Sequence, residues 1–98
     1  MRVRYHVLAR LDVAEILEYY ERVAGRDVAV RFFSELRQCI KLIRTRPQSY
    51  PQVRSGIRRC LFDRFPHQIN FEIVDEATVK ILVVKHQQRD PDYGLDRN

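Results

Sequence analysis

The residues of this chain that could move a proton or hold an anion gather in its last third. His67 opens one β-type run and His86 closes the next, and Arg89 and Tyr93 follow in Arg89-Asp90-Pro91-Asp92-Tyr93. If the two runs pair as an antiparallel hairpin, the start of one lies beside the end of the other. The imidazoles then meet at one sheet edge, where they could serve as general acid and base near neutral pH. Just upstream, Arg54, Arg58, Arg59 and Arg64 place four cations within eleven residues. Guanidinium forks match phosphate and carboxylate, and each phosphate contact adds salt-dependent affinity. Alternation puts Arg58 on the face of Cys60 and Phe62, and Arg59 on the face of Leu61, so the two cannot both face a core. Tyr93 could stack on a base or donate its hydroxyl, and Arg89 could pair with phosphate. A plain structural role is open to each: a packed histidine, a solvated strand face, or Arg89 paired with Asp90 or Asp92 while Tyr93 plugs the sheet edge.

The elements that must position these groups follow from hydrophobic period. Val3, Tyr5 and Val7 alternate with Arg2, Arg4 and His6, as in a strand with one buried face. From Ala9 the period lengthens: Ala9, Val13, Ile16 and Tyr20, flanked by Leu17, predict an amphipathic helix with Asp12, Glu15, Glu18 and Glu21 facing out. Gly25 is its natural stop. Asp27 offers an N-cap for a second helix, whose stripe is Ala29, Phe32, Phe33, Leu36, Ile40 and Ile43, with Cys39 beside it. Pro47 ends that helix, because the residue before a proline is pushed out of the helical region. Residues 47–56 are expected to be loop. Three strands follow, near Ile57–Phe62, His67–Val74 and Thr78–His86, with Asp75-Glu76-Ala77 as the turn between the last two. The order β-α-α-β-β-β predicts an α+β fold in which a helical hairpin packs on one face of a small, mostly antiparallel four-stranded sheet. The opposite face is left for function.

Composition narrows the function classes. The 98 residues make one domain, residues 1–98, and a chain this short buries only about 60–65% of its unfolded surface. The formal charge of +5 and pI near 9.6 favour an anionic or acidic partner. All but Lys41, Lys80 and Lys85 of the 18 basic residues are arginine. Cys39 falls in a helix pattern and Cys60 in a strand pattern, without CxxC spacing, so they read as buried hydrophobes in a reducing compartment. No metal site or cofactor is expected. The start of the chain has no apolar signal-peptide core, and no apolar run reaches the ~20 residues that span a bilayer. A cytoplasmic protein with no membrane partner is expected. Three glycines without a Gly-rich loop argue against a nucleotide-driven enzyme, and no Ser-His-Asp order stands out.

The segments Ala9-Arg10-Leu11-Asp12-Val13-Ala14-Glu15-Ile16 with Tyr19-Tyr20, Phe32-Phe33 through Leu36 and Ile43, and Pro47 with Tyr50-Pro51 resemble the body of the RelE/ParE toxin superfamily. Arg58-Arg59, Arg64-Phe65-Pro66-His67-Gln68-Ile69 and Val84-Lys85-His86-Gln87-Gln88-Arg89-Asp90-Pro91-Asp92-Tyr93 resemble its distal signature more closely still. The similarity runs from about residue 3 to Tyr93. It implies the toxin half of a type II toxin–antitoxin pair, held in a hetero-oligomer by a cognate antitoxin. RelE-like members cut mRNA in the ribosomal A site, whereas ParE-like members inhibit DNA gyrase.

Position matching favours the ParE-like branch. RelE-type nucleases resemble this chain at Arg89 and Tyr93 but carry arginines near Gln68 and Gln87. An amide cannot supply the positive charge that offsets a pentacovalent phosphate. Arg58, Arg59 and Arg64 are only loose counterparts of their other cations. For a gyrase inhibitor the expected target-binding residues are Arg58, Arg59, Arg89 and Tyr93. For the alternative, a ribosome-dependent mRNA endonuclease, His67 or His86 would take the 2′-hydroxyl proton, Arg64 or Arg89 would stabilise the phosphate, and Tyr93 would orient a base. A third reading is an inactive homologue that binds its antitoxin and co-regulates transcription.

Overall fold

The alternation of Arg2-Val3-Arg4-Tyr5 becomes a short strand, β1 (Arg2–Tyr5), in the computed structural model, which describes residues 1–98. His6 is still extended, and its Nδ1 accepts a hydrogen bond from the Leu8 N–H at 3.0 Å. That cap starts helix α1 (Val7–Ala24) two residues before Ala9. Val7, expected as a third inward strand residue, is therefore the first residue of a helix and 66% exposed. Gly25, at φ 96°, both ends α1 and precedes α2 (Arg26–Thr45). Only a residue without a Cβ takes that turn readily. Asp27, expected as the N-cap, sits inside the first turn of α2, where its carboxylate meets the positive end of the helix dipole.

Helix α2 buries Ala29, Phe32, Leu36, Cys39 and Ile43. Phe33, expected in the same stripe, lies on its shoulder and is 43% exposed. Pro47 opens a 3-10 turn over Pro47–Ser49, and the chain then forms a strand where loop was expected, β2 (Gln52–Arg54). Its three residues are all exposed. With no buried face they leave no period to read. Strands β3 (Ile57–Leu61), β4 (His67–Asp75) and β5 (Thr78–His86) follow. The sheet thus has five strands rather than four, in the order β1-β5-β4-β3-β2, with β1 parallel to β5 and every other pair antiparallel. The α+β architecture is as expected.

One face of the sheet closes against the hairpin around Phe32, Ile43, Ile69, Phe71, Val79 and Ile81, all essentially inaccessible. Each such side chain contributes about 1.5–3 kcal/mol by leaving water. The other face, expected to be free, is partly covered. Register passes from Asn70↔Val83 to Phe71↔Ile81, so Leu82 is an extra residue in β5. Leu82 and Val83 join Ile57 and Leu95 in a second apolar cluster, with Tyr93 packed against it. The segment after Arg89 therefore returns across the sheet as a strap. Gly94 makes the close approach: at φ 78° a Cβ there would lie 2.5 Å from Val83 Cγ2.

Asp12 departs from expectation for a related reason. It is buried, not outward. Strand β1 ends at Tyr5, and the His6 N–H makes the next bond, to Ile81 O at 2.9 Å. Beyond Ile81, β5 has no strand on that side, and buried backbone groups must find partners elsewhere. The Asp12 carboxylate accepts from the Val84 N–H at 3.0 Å, while Arg97 Nη1 donates to Leu82 O at 2.8 Å. The two side chains pair with each other at 2.7 Å and so stand in for a missing strand.

Candidate functional site

His67 and His86 are register partners, and their rings lie 5.3 Å apart, so the expected convergence is real. Its setting is the closed face of the sheet. The His67 ring packs among Tyr20, Phe32, Phe62 and Phe65 and is 4% exposed. Burial, and secondarily the neighbouring His86, pushes its pKa down to about 4. Its Nδ1 has no hydrogen-bond partner. His86 is half-buried, and its Nδ1 accepts from the Gln88 N–H at 3.0 Å, which shapes the turn leaving β5. A neutral imidazole walled by aromatic rings cannot hand a proton to a polymer in solvent.

The two glutamines are both engaged. Gln68, buried on the opposite face, donates from Nε2 to Asn70 Oδ1 at 3.1 Å, and Asn70 Nδ2 reaches Arg58 O at 3.5 Å. Gln87 Nε2 donates to His67 O at 2.9 Å, while its backbone N–H bonds Pro66 O at 2.8 Å. That pair of bonds clamps the end of β5 to the approach of β4.

The expected cations are spread out. Arg58 lies on the helix-facing side, where Nη1 donates to Tyr50 O at 2.7 Å and to Gln48 O at 3.3 Å. Arg59 points from the opposite face, opposite Asn70 in the register, with a buried Nε lacking a partner. Arg64 sits in the turn before β4, which is tied to α2 because both oxygens of Glu35 accept the Asp63 and Arg64 N–H groups at 2.6 to 3.1 Å. Arg89 and Tyr93 do come together, with the guanidinium carbon 3.8 Å from the ring centroid. Arg97 approaches the same ring at 5.1 Å. The geometry therefore makes two pairs, His67 with His86 and Arg89 with Tyr93, and no single cluster.

Sequence reasoning missed the groups that hold the strap. Lys85 is 2% exposed, and its Nζ donates to the carbonyls of Asp90, Pro91 and Tyr93 at 3.0, 2.9 and 3.3 Å. Its pKa is lowered by burial, with Asp90 and Asp92 opposing the shift. Asp12 had a readable signal, since it follows Ala9 by three residues and so lies on the buried arc of α1. Arg97 and Lys85 had none.

The family model described as "ParE toxin of type II toxin-antitoxin system, parDE" matches residues 3–91. The chain belongs to the ParE toxin family. Among solved structures, a chain of the chromosomal ParDE toxin–antitoxin system from P. aeruginosa superposes with a TM-score of 0.69 at 17% identity, covering 88% of this chain and 95% of that one. At that identity the likeness speaks for the ParE fold alone. No individually curated protein matches the sequence.

Around this ParE fold the two helices leave an apolar groove on the outside of the hairpin. Tyr5, Val13, Phe33 and Ile40 line one concavity of about 290 Å³, with Arg10 at its rim. Leu17, Val30 and Phe33 line the adjoining one, of about 550 Å³, with Arg26 at its rim. No helix is long and apolar enough to cross a membrane.

Proposed function

We propose that this ParE-family chain acts in the cytoplasm as a toxin that binds DNA gyrase and cuts nothing, and that a cognate antitoxin silences it. The observation that carries the reading is the scatter of the would-be catalytic groups. Phosphodiester cleavage needs a proton carrier and cations aimed at one point. Here the buried imidazole is neutral, both glutamines are occupied, and Arg58, Arg59 and Arg64 lie on three different sides. The endonuclease reading has one supporting feature, the 5.3 Å approach of the two imidazoles, and their burial weighs against it.

We place target contact on the strap, through Arg89 and Tyr93, with Arg59 beside it on the same side of the sheet. Arg58 then serves to hold the approach to β2. The antitoxin reading is supported by the groove on the hairpin, where exposed Phe33 and Val30 offer apolar anchors and Arg10 and Arg26 offer charge. An acidic amphipathic helix suits such a groove. Inducing the chain in cells, then sequencing RNA ends and assaying supercoiling, tests the target. Intact transcripts with impaired supercoiling are expected; clean ribosome-dependent breaks would refute the reading. An antitoxin should raise the midpoint of thermal unfolding and bind more weakly as salt rises.

A further inference from the structure

The outer face of α2 carries four cations outside any ion pair, one of which, Arg44, donates from Nε to Met1 O at 3.1 Å. Arg31, Arg37, Lys41 and Arg44 are all exposed and project from the side opposite the buried stripe of Phe32, Leu36, Cys39 and Ile43. Ser34 and Gln38 fill the positions between them. Surfaces of soluble proteins normally intersperse both signs, and helices pair them three or four residues apart. On α2 the only acids are Asp27, in the first turn, and Glu35, whose two oxygens are taken by the Asp63 and Arg64 N–H groups. The ion pairs of the molecule are Arg54–Asp92 and Arg97–Asp12, so none of these helix cations is paired. Helix α1, by contrast, sets Asp12, Glu15, Glu18 and Glu21 against Arg10 and Arg22.

The same side of α2 is concave. Arg31, Ser34, Gln38 and Arg64, together with Val28, Phe65 and the Glu35 carboxylate already bound to the Asp63 and Arg64 N–H groups, line a depression of about 510 Å³ between the helix and the turn before β4. It runs into a second, of about 430 Å³, lined by Ser34, Gln38, Arg37, Lys41 and Arg44. Val28 and Phe65 in the first depression and Ile40 in the second are the hydrophobic residues here, and the remaining lining residues are polar or charged. We propose that the track binds the phosphate backbone of duplex DNA. Thirteen residues separate Arg31 from Arg44, about 20 Å of helix at 1.5 Å per residue. That length spans roughly six phosphates of one strand at 3.4 Å of rise each. Guanidinium and ammonium groups interleaved with hydroxyl and amide donors make the contacts typical of backbone recognition. A single-stranded ligand would ask for aromatic stacking platforms, and the track offers only the half-buried Phe65 at its edge. An acidic helix would ask for apolar anchors, and those lie in the other groove.

Fluorescence anisotropy of a labelled duplex of about 20 base pairs, titrated with the purified chain over a salt series, tests the assignment. Each lost phosphate contact should flatten the log–log salt slope by about 0.9, so Arg31→Gln/Arg37→Gln/Lys41→Gln should flatten it by about 2.7. A charge-matched control, Arg2→Gln/Arg4→Gln/Lys80→Gln, changes β1 and β5 on the far side and should leave the slope within about 1 of wild type. Glutamine keeps helix propensity close to that of arginine and lysine, and circular dichroism checks that both variants fold. Three results would overturn the proposal: absence of duplex binding by wild type, equal flattening by the two triple variants, or displacement by polyglutamate as efficient as by unlabelled duplex. The last would assign the track to an acidic protein.

Discussion

Acid should destabilise this protein through His67 as the pH falls below about 6.5. The imidazole ionises near 4 in the fold and at 6.5 when free. Between those values the unfolded chain binds a proton that the folded chain does not, so stability is full above about pH 6.5 and falls as the pH drops. At about 1.36 kcal/mol per pH unit, the complete loss is about 3.4 kcal/mol, and about 2 kcal/mol of it has gone by pH 5. For a domain of this size that is a large share of a total stability of roughly 5–15 kcal/mol. The groups facing the ring are Tyr20, Phe32, Phe62, Phe65 and His86. His67→Phe keeps an aromatic body among aromatic neighbours and removes the proton site. Urea unfolding at pH 7.5 and pH 5 should show the wild type losing about 2 kcal/mol more than the variant. Equal losses in the two proteins would refute the argument and reopen His67 as an accessible, charged histidine.

Three other substitutions probe the strap and its target surface. Asp12→Ala strands the Arg97 guanidinium beside the Leu82 carbonyl and leaves the Val84 N–H without an acceptor, so urea unfolding should show a loss of about 3–5 kcal/mol. Gly94→Ala forces a Cβ to within 2.5 Å of Val83 Cγ2 at a positive φ; a loss of about 1–3 kcal/mol is expected, with faster amide exchange confined to residues 89–97. Arg89→Ala breaks the cation–π pair at its exposed end and leaves the Tyr93 ring packed on the Leu82–Leu95 cluster. It should lower inhibition of gyrase supercoiling about tenfold while barely moving the melting midpoint, and an unchanged inhibition would remove Arg89 from the target surface.

Period carried most of the architecture. Both helices, the β4–β5 hairpin and its turn stand within two residues of where alternation and glycine put them, because each buries a face that its spacing exposes. Strand β2 escaped because three exposed residues at a sheet edge bury nothing. Phe33 escaped because a helical stripe wide enough to include Phe32, Leu36 and Ile43 does not say which shoulder meets the sheet. The site was less legible. The meeting of His67 and His86 followed from hairpin register alone, but the burial that holds the His67 pKa down comes from Phe32 and Tyr20, which belong to helices far away in sequence. The strap was invisible in advance, since its anchors are a lysine caged by three carbonyls and an ion pair between residues 12 and 97.

The strap changes what the sheet can do. With the hairpin on one face and residues 89–97 across the middle of the other, only the margins of that second face stay open, at Arg2, Arg4 and Leu61. Outside these covers lie the outer side of the strap, the groove between the helices, and the cationic side of α2. The groove and the track meet along Ser34, Arg37 and Ile40, and the strap shares no lining residue with either. An antitoxin seated in the groove as proposed would leave Arg31 and Lys41 exposed. Contacts do run from the hairpin to the strap, since Asp12 on α1 pairs with Arg97, and Arg97 stands beside the Tyr93 ring that Arg89 covers.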